Sequence, residues 1–217
     1  MKIRFVSRGK LGEEQACEGE GADLAIYGFN SLGEVSYDKE LRGESDYFER
    51  AARISKQMKG VVVCGCFTDT RGIKRKSALV AENGRLCGVS DMTHTVDGTL
   101  STGAGLRVYD TKLGKMGVAV AEDILFPEVM SALAACGSDF VVCPFGVLRG
   151  TMPQVLLRAY GYLYGVPIFL CGVGYTIAVG VDGNVSLATP QSPIAFALEN
   201  HKEFHLIETR KRGVFQV

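Results

Sequence analysis

One stretch of the sequence decides most of the predicted fold, and it runs GKMGVAVAEDILFPE from Gly114 to Glu128. Its apolar first half is typical of a buried strand. Two acidic residues interrupt the apolar run. Pro127 follows where a helix begins, because the fixed backbone angle of proline suits the first helical position. The stretch therefore predicts a strand, a charged turn and a helix.

The segments on either side continue this alternation of strands, helices and hairpins. Asn83-Gly84, Leu113-Gly114 and Asp182-Gly183-Asn184 stand between apolar runs, as the turns of hairpins do. The patterns predict strands at residues 2–7, 23–27, 61–67, 77–82, 85–90, 106–111, 115–121, 139–144, 166–172 and 204–208.

Three helices are predicted between these strands. The first has Asp46 and Glu49 as a capping box and Gly60 as its end, and the others span residues 127–137 and 152–164. Strand–helix units give parallel pairs and hairpins give antiparallel ones, so the sheets are expected to be mixed. Helices cover one face of each sheet and a second sheet covers the other. The expected fold is a four-layer αββα sandwich of two mixed sheets, in one domain over residues 1–217.

Composition narrows the class of protein. The chain has 217 residues, 24 basic and 24 acidic side chains and no net charge, so no nucleic-acid partner is expected. Its seven cysteines are irregularly spaced and no secretory signal precedes them, which predicts reduced thiols and a cytoplasmic protein. Residues 159–181 carry no charge, but their glycines and Pro167 disfavour one continuous helix, so no membrane partner is expected.

The stretch from Gly114 to Glu128 resembles the segment of the nitrilase, or carbon–nitrogen hydrolase, superfamily that carries its nucleophile. In that family the apolar strand ends in Cys-Tyr/Glu-Asp, and Phe-Pro-Glu follows two residues later. Other segments that match the family in the same order are Ala22-Asp23-Leu24, Ser77-Ala78, Thr93-His94 and Cys136-Gly137-Ser138-Asp139. The resemblance covers about the whole chain, and it implies the family's αββα fold.

The resemblance also implies what is missing. The family hydrolyses amides or nitriles with a Glu-Lys-Cys triad, in which a thiolate attacks carbon, a carboxylate moves protons and an ammonium stabilises the anion. In this sequence the matching positions are Phe29, Met92 and Ala121. None of these side chains can attack carbon, move a proton or stabilise an anion. No catalytic residue of the triad is therefore expected to be intact.

Other departures point the same way. Lys76 stands where the family has asparagine, and residues 8–22 are too polar and glycine-rich for the long helix expected there. The C-terminal part is also abbreviated, with Arg158-Ala159-Tyr160-Gly161 where the family continues Arg-Ala-x-Glu-Asn. The resemblance thus indicates a degenerate member with a shortened periphery.

Four residues are candidates for lining the former pocket, and each also has a structural explanation. Cys143 is expected to be a small buried residue, and His94 a loop histidine hydrogen-bonded to backbone. Glu122 and Asp123 are expected to hydrogen-bond the loop before Pro127. Glu34 and the cluster Lys74 to Lys76 are expected to be solvated. Cys64 and Cys66 share a strand face, but no histidine lies at ligand spacing, so neither a metal nor a cofactor is predicted.

Two hypotheses of different classes follow. The first is a nitrilase-like protein that has lost amide and nitrile hydrolysis and serves as a small-molecule binder, a regulatory subunit or an assembly partner. The resemblance implies a homodimer through the Phe-Pro-Glu helix and its neighbour. The second is an active amidohydrolase on a small C–N substrate that uses a displaced cysteine such as Cys143. The first predicts that Phe29, Met92 and Ala121 converge in the pocket, and the second predicts a thiol there with a carboxylate and a cation in reach.

Overall fold

A computed structural model describes residues 1–12, 21–29, 31–96, 98–147 and 149–198. Thirteen strands, four α-helices and one 3₁₀ helix are found in these described residues. The strands are β1 (Lys2–Val6), β2 (Leu24–Tyr27), β3 (Glu34–Ser36), β4 (Val61–Thr70), β5 (Ile73–Glu82), β6 (Arg85–Asp91), β7 (Arg107–Thr111), β8 (Gly114–Val118), β9 (Phe140–Pro144), β10 (Ile168–Cys171), β11 (Thr176–Val179), β12 (Val185–Thr189) and β13 (Ile194–Ala197). The α-helices are α1 (Tyr37–Leu41), α2 (Tyr47–Met58), α3 (Pro127–Ala135) and α4 (Met152–Tyr164), and Ala121–Leu125 forms a 3₁₀ helix.

The strands form two mixed sheets. The first has the order β13-β1-β2-β4-β5-β6, with β3 also paired to β4, and the second has the order β12-β11-β10-β9-β8-β7. In the first sheet β1, β2 and β4 are parallel, and in the second β8, β9 and β10 are parallel. The predicted hairpins at Asn83-Gly84, Leu113-Gly114 and residues 182–184 join antiparallel neighbours, as expected.

Three apolar clusters show how the layers stack. One lies between the sheets and includes Phe5, Val63, Met116 and Phe169. A second packs the outer face of the second sheet against α3 and α4, and a third packs the outer face of the first sheet against α2. Helices therefore cover both outer faces and the two inner faces meet. The predicted four-layer αββα sandwich is confirmed.

The start and end of α2 differ from prediction. Asp46 precedes the helix but makes no side-chain cap; its carboxylate pairs with Arg50 and Arg53 instead. The Glu40 carboxylate accepts the backbone N–H groups of Tyr47 and Phe48, each at 3.1 Å. The helix ends at Met58, and the left-handed residue that closes it is Lys59, with a φ of 53°, and not Gly60. The predicted capping box was wrong because a carboxylate from the preceding helix already satisfies the free donors.

Some elements were missed. Residues 33–37, expected to be a polar loop, contain β3, whose backbone pairs with β4 from Phe67 to Asp69. The left-handed turn at Arg71 and Gly72 lets β4 and β5 extend well beyond their predicted ends. β13 was not predicted, although it pairs with β1 from Lys2 to Phe5. The predicted strand at 204–208 lies outside the described residues. No helix in the described part of the chain is long and apolar enough to cross a membrane.

Candidate functional site

Three buried apolar side chains, each close to the end of a strand, belong to the core between the sheets. Phe29 follows β2, Met92 follows β6 and Ala121 follows β8, and all belong to the inter-sheet cluster with at most 3% of each exposed. The Phe29 ring lies 5.5 Å from the Phe67 ring and crosses close over Gly65, where an added Cβ would approach it to 2.9 Å. These three positions therefore carry buried apolar side chains. That these three residues occupy the family's triad positions stays a prediction.

Ala121 has an unusual backbone. Its φ is 49°, in the left-handed region that residues with a side chain rarely adopt. It is the first residue of the 3₁₀ helix before α3 and follows Val120, whose backbone is extended. Such a conformation persists only where the surroundings enforce it, and it clusters at functional positions. The chain thus keeps a strained turn at a residue whose methyl group has no chemistry to present.

Asp123 ties this turn to the loop after β6. Its buried carboxylate accepts the N–H of Thr93 at 3.0 Å, the N–H of His94 at 2.9 Å and the Thr93 hydroxyl at 2.8 Å. It also accepts the N–H of Val120 at 3.3 Å. Burial raises the pKa of the Asp123 carboxyl, and the hydrogen bonds from Thr93, His94 and Val120 act in the opposite direction. Asp123 was expected to bond only the loop before Pro127, but the loop carrying Met92 supplies most of its donors.

Glu122 turns toward the first sheet instead. Its Oε1 atom pairs with the Nζ atom of Lys76 at 2.5 Å, and only 25% and 19% of these two side chains are exposed. Lys76 lies on the same face of β5 as Ala78 and Val80, which belong to the inter-sheet core. The other carboxylate oxygen, Oε2, is buried and accepts no hydrogen bond. Lys76 was expected to be solvated and Glu122 to hydrogen-bond the loop before Pro127, whereas the two side chains pair with each other.

The other charges near the site lie further out. Glu34 pairs with Lys74 at 2.7 Å, and about half of each side chain is exposed. Glu34 is therefore in a strand and an ion pair, and not in a solvated loop as expected. Lys74 and Lys76 lie on one face of β5; the Lys76–Glu122 pair is partly buried, and the Lys74–Glu34 pair is about half exposed.

His94 lies beside the turn, where its backbone N–H donates to Asp123. Its ring stacks on Phe126 with centroids 4.4 Å apart, and its Nδ1 atom lies 2.9 Å from the Thr93 hydroxyl. Its Nε2 atom lies 3.7 Å from Oε1 of Glu128. The backbone N–H of His94 is bonded to Asp123, whereas its side chain was expected to bond backbone and bonds a hydroxyl instead.

Cys143 touches the turn from below. It is buried in β9, and its Sγ atom donates weakly to the carbonyl oxygen of Ala121 at 3.8 Å. Burial raises the pKa of this thiol well above its usual value, and the charges of Asp123 and Glu122 raise it further. The thiol is therefore held in its neutral, poorly nucleophilic form.

The metal prediction concerned Cys64 and Cys66. Both side chains are buried on the outer face of β4, in the cluster under α2. Burial, and to a smaller extent Asp91, raises the pKa of Cys66 to about 12. Within the part of the chain that the structure describes, no three His, Cys, Asp or Glu residues come together as metal ligands.

Two residues at the site escaped sequence reasoning. Phe67 packs on Phe29 and lies opposite Lys76 across the β4–β5 pair. Lys76 was taken as part of a basic cluster at a hairpin end. The signal that would have placed it is alternation along β5, since residues 76, 78 and 80 share a face and two of them are small and apolar.

The two mixed sheets, the outer helices and the strained turn ahead of α3 define a nitrilase-like fold. Solved structures agree: Saccharomyces cerevisiae Nit3, a member of branch 10 of the nitrilase superfamily, superposes with a TM-score of 0.73 at 18% identity, covering 90% of this chain and 88% of Nit3. A cysteine-to-alanine mutant of the amidase from Nesterenkonia sp. AN1 in complex with butyramide gives a TM-score of 0.72 at 17% identity, with 90% and 88% covered.

Sequence comparison supplies the family. The model of the carbon-nitrogen hydrolase family matches residues 22–194, so the chain belongs to that family. A probable nitrilase of Schizosaccharomyces pombe is 22% identical over 192 residues, which are 83% of this chain and 70% of that protein. A citrullinase of Francisella tularensis is 31% identical over 86 residues, but these cover only 36% of this chain and 29% of the citrullinase.

Proposed function

We propose that this member of the carbon–nitrogen hydrolase family has lost thiol-dependent hydrolysis of amides and nitriles and acts as a binding or regulatory protein. The observation that carries the proposal is the burial of Phe29, Met92 and Ala121 in one apolar cluster. Each stands where the family resemblance expects a member of the triad. Loss of one oxyanion-stabilising donor costs about 10²–10³-fold in rate, and loss of the nucleophile removes the covalent route.

The apolar set is also self-consistent in energy. A single glutamate or lysine left in this cluster would be a buried charge without its partner, which costs several kcal/mol. Replacement of all the members by apolar groups avoids that cost. The charges that do come near, Lys76 and Glu122, neutralise one another. We infer that the site was remodelled as a unit and no longer prepared for catalysis.

The alternative function is an active amidohydrolase that uses Cys143. Its sulfur is near the turn, which is the one observation in its favour. The thiol is fully buried and its pKa is raised. Among the described residues, its hydrogen-bond partner is the carbonyl of Ala121 and not a cation or a carboxylate. We therefore favour the inactive protein.

Turnover assays test the choice between the two functions. Purified protein and the Cys143→Ser variant are incubated with butyramide, acrylamide and a small nitrile, and ammonia release is measured. We expect both proteins to release no more ammonia than a control with buffer alone. Ammonia release that disappears in Cys143→Ser would establish the alternative function. Ammonia release that persists in Cys143→Ser would also contradict the proposed loss of hydrolysis, because the protein would then hydrolyse amides without this thiol.

A binding role remains chemically reasonable without the nucleophile. The cysteine-to-alanine mutant of the Nesterenkonia amidase was solved with butyramide, so a protein of this fold can hold an amide without that thiol. We propose a small molecule as the ligand of this chain and a second copy of the chain as its partner. Met152, Val155 and Leu163 leave apolar surface exposed on α4, which supports self-association. Sedimentation at micromolar concentration tests it: a homodimer is expected, and a monomer contradicts it.

Three further features stay predictions. They are the single domain over residues 1–217, the cytoplasmic location and the absence of a nucleic-acid partner. No disulfide bond forms among the cysteines of the described segments, which fits a reducing compartment.

A further inference from the structure

A cavity of about 410 Å³ opens beside the turn, on the side where His94 points. Its volume falls in the range of small-molecule sites, roughly 300–1,000 Å³. Its lining does not include Phe29, Met92 or Ala121, so the cavity is separate from these three residues. It is lined by Thr93, His94, Gly103, Ala104, Gly105, Leu106, Glu128 and Val129.

The hydrogen bonds around His94 assign its tautomer. The Thr93 hydroxyl has one hydrogen and donates it to the ionised Asp123 carboxylate at 2.8 Å. It must therefore accept from Nδ1 of His94, which lies 2.9 Å away. In the neutral imidazole the proton is then on Nδ1, and Nε2 carries the lone pair. Stacking on Phe126 holds the ring in this orientation.

In the neutral imidazole with its proton on Nδ1, Nε2 accepts a hydrogen bond, as the Glu128 carboxylate does. They lie 3.7 Å apart, too far to bond each other and close enough to share one donor. The lining contains no lysine or arginine, so Glu128 gives the cavity a net negative charge. Because Nε2 and the Glu128 carboxylate are both acceptors and the other lining residues carry no positive charge, the cavity favours a ligand with N–H groups and a positive charge. A metal is disfavoured, because the described residues offer no third ligand here.

We propose that this cavity binds an organic ammonium ion. The ammonium donates to Nε2 of His94 and to the carboxylate of Glu128, and the apolar body lies along Ala104, Leu106 and Val129. An organic ammonium ion would be the ligand for the binding role proposed above, and the biological purpose of the site rests on that proposed role. The site itself is independent of whether the turn at Ala121 has lost catalysis.

Titration of the purified protein at neutral pH tests the proposal. Phenethylamine is compared with 2-phenylethanol, which has the same shape but no charge, by calorimetry and by the NMR signal of the His94 ring. Saturable binding is expected for the amine alone, with a shift of the His94 signal. Equal binding of the alcohol, or no saturable binding of the amine, would overturn the proposal.

Two variants locate the binding. Glu128→Gln removes the charge and keeps the shape, and His94→Phe keeps the stacking on Phe126 and removes Nε2. Each is expected to weaken amine binding at least about tenfold. Glu49→Gln, on the exposed face of α2, is the matched control and should bind as the parent does. Parent-like affinity in Glu128→Gln contradicts the proposed site.

The two proposals fail separately. Ammonia release from amides would contradict the proposed loss of hydrolysis and would not affect the result of the amine titration. Absence of amine binding would defeat this site and leave the hydrolysis result unchanged. Thermal unfolding of each variant confirms that the folded protein is being titrated.

Discussion

The carboxylate of Asp123 holds the backbone N–H of Thr93 at 3.0 Å and so joins the turn after β8, in the second sheet, to the loop after β6, in the first. The same carboxylate accepts three further hydrogen bonds, from the Thr93 hydroxyl, the His94 N–H and the Val120 N–H. Met92, which precedes Thr93, and Ala121, which follows Val120, are thereby held on either side of one buried group.

Replacement of this carboxylate should therefore be costly. In Asp123→Asn an amide NH₂ faces N–H donors, so at least one buried donor loses its acceptor. We expect a loss of about 2–3 kcal/mol in the free energy of unfolding. Urea denaturation measures it. Asp110→Asn, on an exposed position of β7, is the control and should change stability by less than about 0.5 kcal/mol. Equal free energies of unfolding for the two variants would show that the hydrogen bonds to the Asp123 carboxylate contribute little to stability.

The strain at Ala121 is measurable by paired substitutions. Ala119→Gly and Ala121→Gly each remove one buried methyl group, but only Ala121 has a positive φ. Glycine relieves the steric cost of the left-handed backbone, about 1–2 kcal/mol. Ala119→Gly should therefore destabilise the protein by roughly 1 kcal/mol more than Ala121→Gly. Thermal or urea unfolding of both variants gives the difference, and equal losses would argue against strain at the turn.

The two lysine–glutamate pairs on β5 should differ in energy. Lys76→Met leaves Glu122 largely buried without its partner and should cost about 1–3 kcal/mol. The double variant Lys76→Met with Glu122→Gln should recover part of that loss. Lys74→Met breaks the exposed pair with Glu34 and should cost less than about 1 kcal/mol. A larger loss from Lys74→Met than from Lys76→Met contradicts the described placement of the inner pair.

Thiol reactivity should follow burial. Cys87 and Cys136 are exposed, whereas Cys143 and Cys66 are buried. Iodoacetamide at neutral pH, followed by peptide mapping, should label the exposed pair first. The buried pair should react more slowly by on the order of 100-fold, at a rate set by opening of the structure. Rapid labelling of Cys143 in the folded protein would revive the alternative of an active thiol.

Alkaline pH should weaken the fold through Cys66. Burial raises the pKa of this thiol from 9.0 to about 12, so the folded chain keeps a proton that the unfolded chain loses. The stabilisation is complete below pH 9 and is lost as the pH rises toward 12. The slope reaches at most about 1.4 kcal/mol per pH unit. Tyr37, whose pKa burial raises to about 12, adds to the loss above pH 10.

Substitution isolates the part due to Cys66. Urea unfolding at pH 8, 9.5 and 10.5 should give a shallower decline for Cys66→Ala than for the parent, whatever the absolute loss from the cavity. Cys136→Ala, at an exposed position, should keep the parent slope. Identical slopes in all three proteins would remove Cys66 from the explanation.

Much of the fold could be predicted from local patterns. Helix α4 begins and ends as the pattern at residues 152–164 predicts, and α3 begins at Pro127 because proline favours that position. The turns at Asn83-Gly84 and Asp182-Gly183-Asn184 form because these residues tolerate the backbone angles that tight hairpins need. Where local preference and sheet pairing disagree, pairing decides: the polar segment at Glu34 forms β3 along the edge of β4.

The sequence by itself determined the family, the αββα layering and the identity of the apolar residues Phe29, Met92 and Ala121, since these depend on residue type and spacing along the chain. Only the tertiary structure decided that Lys76 meets Glu122 and that Asp123 binds Thr93. The partners of each pair are 46 and 30 residues apart and come from different sheets or loops. Such contacts depend on how two sheets face each other, which no local periodicity encodes. The same packing leaves Nε2 of His94 facing the carboxylate of Glu128 across an open cavity.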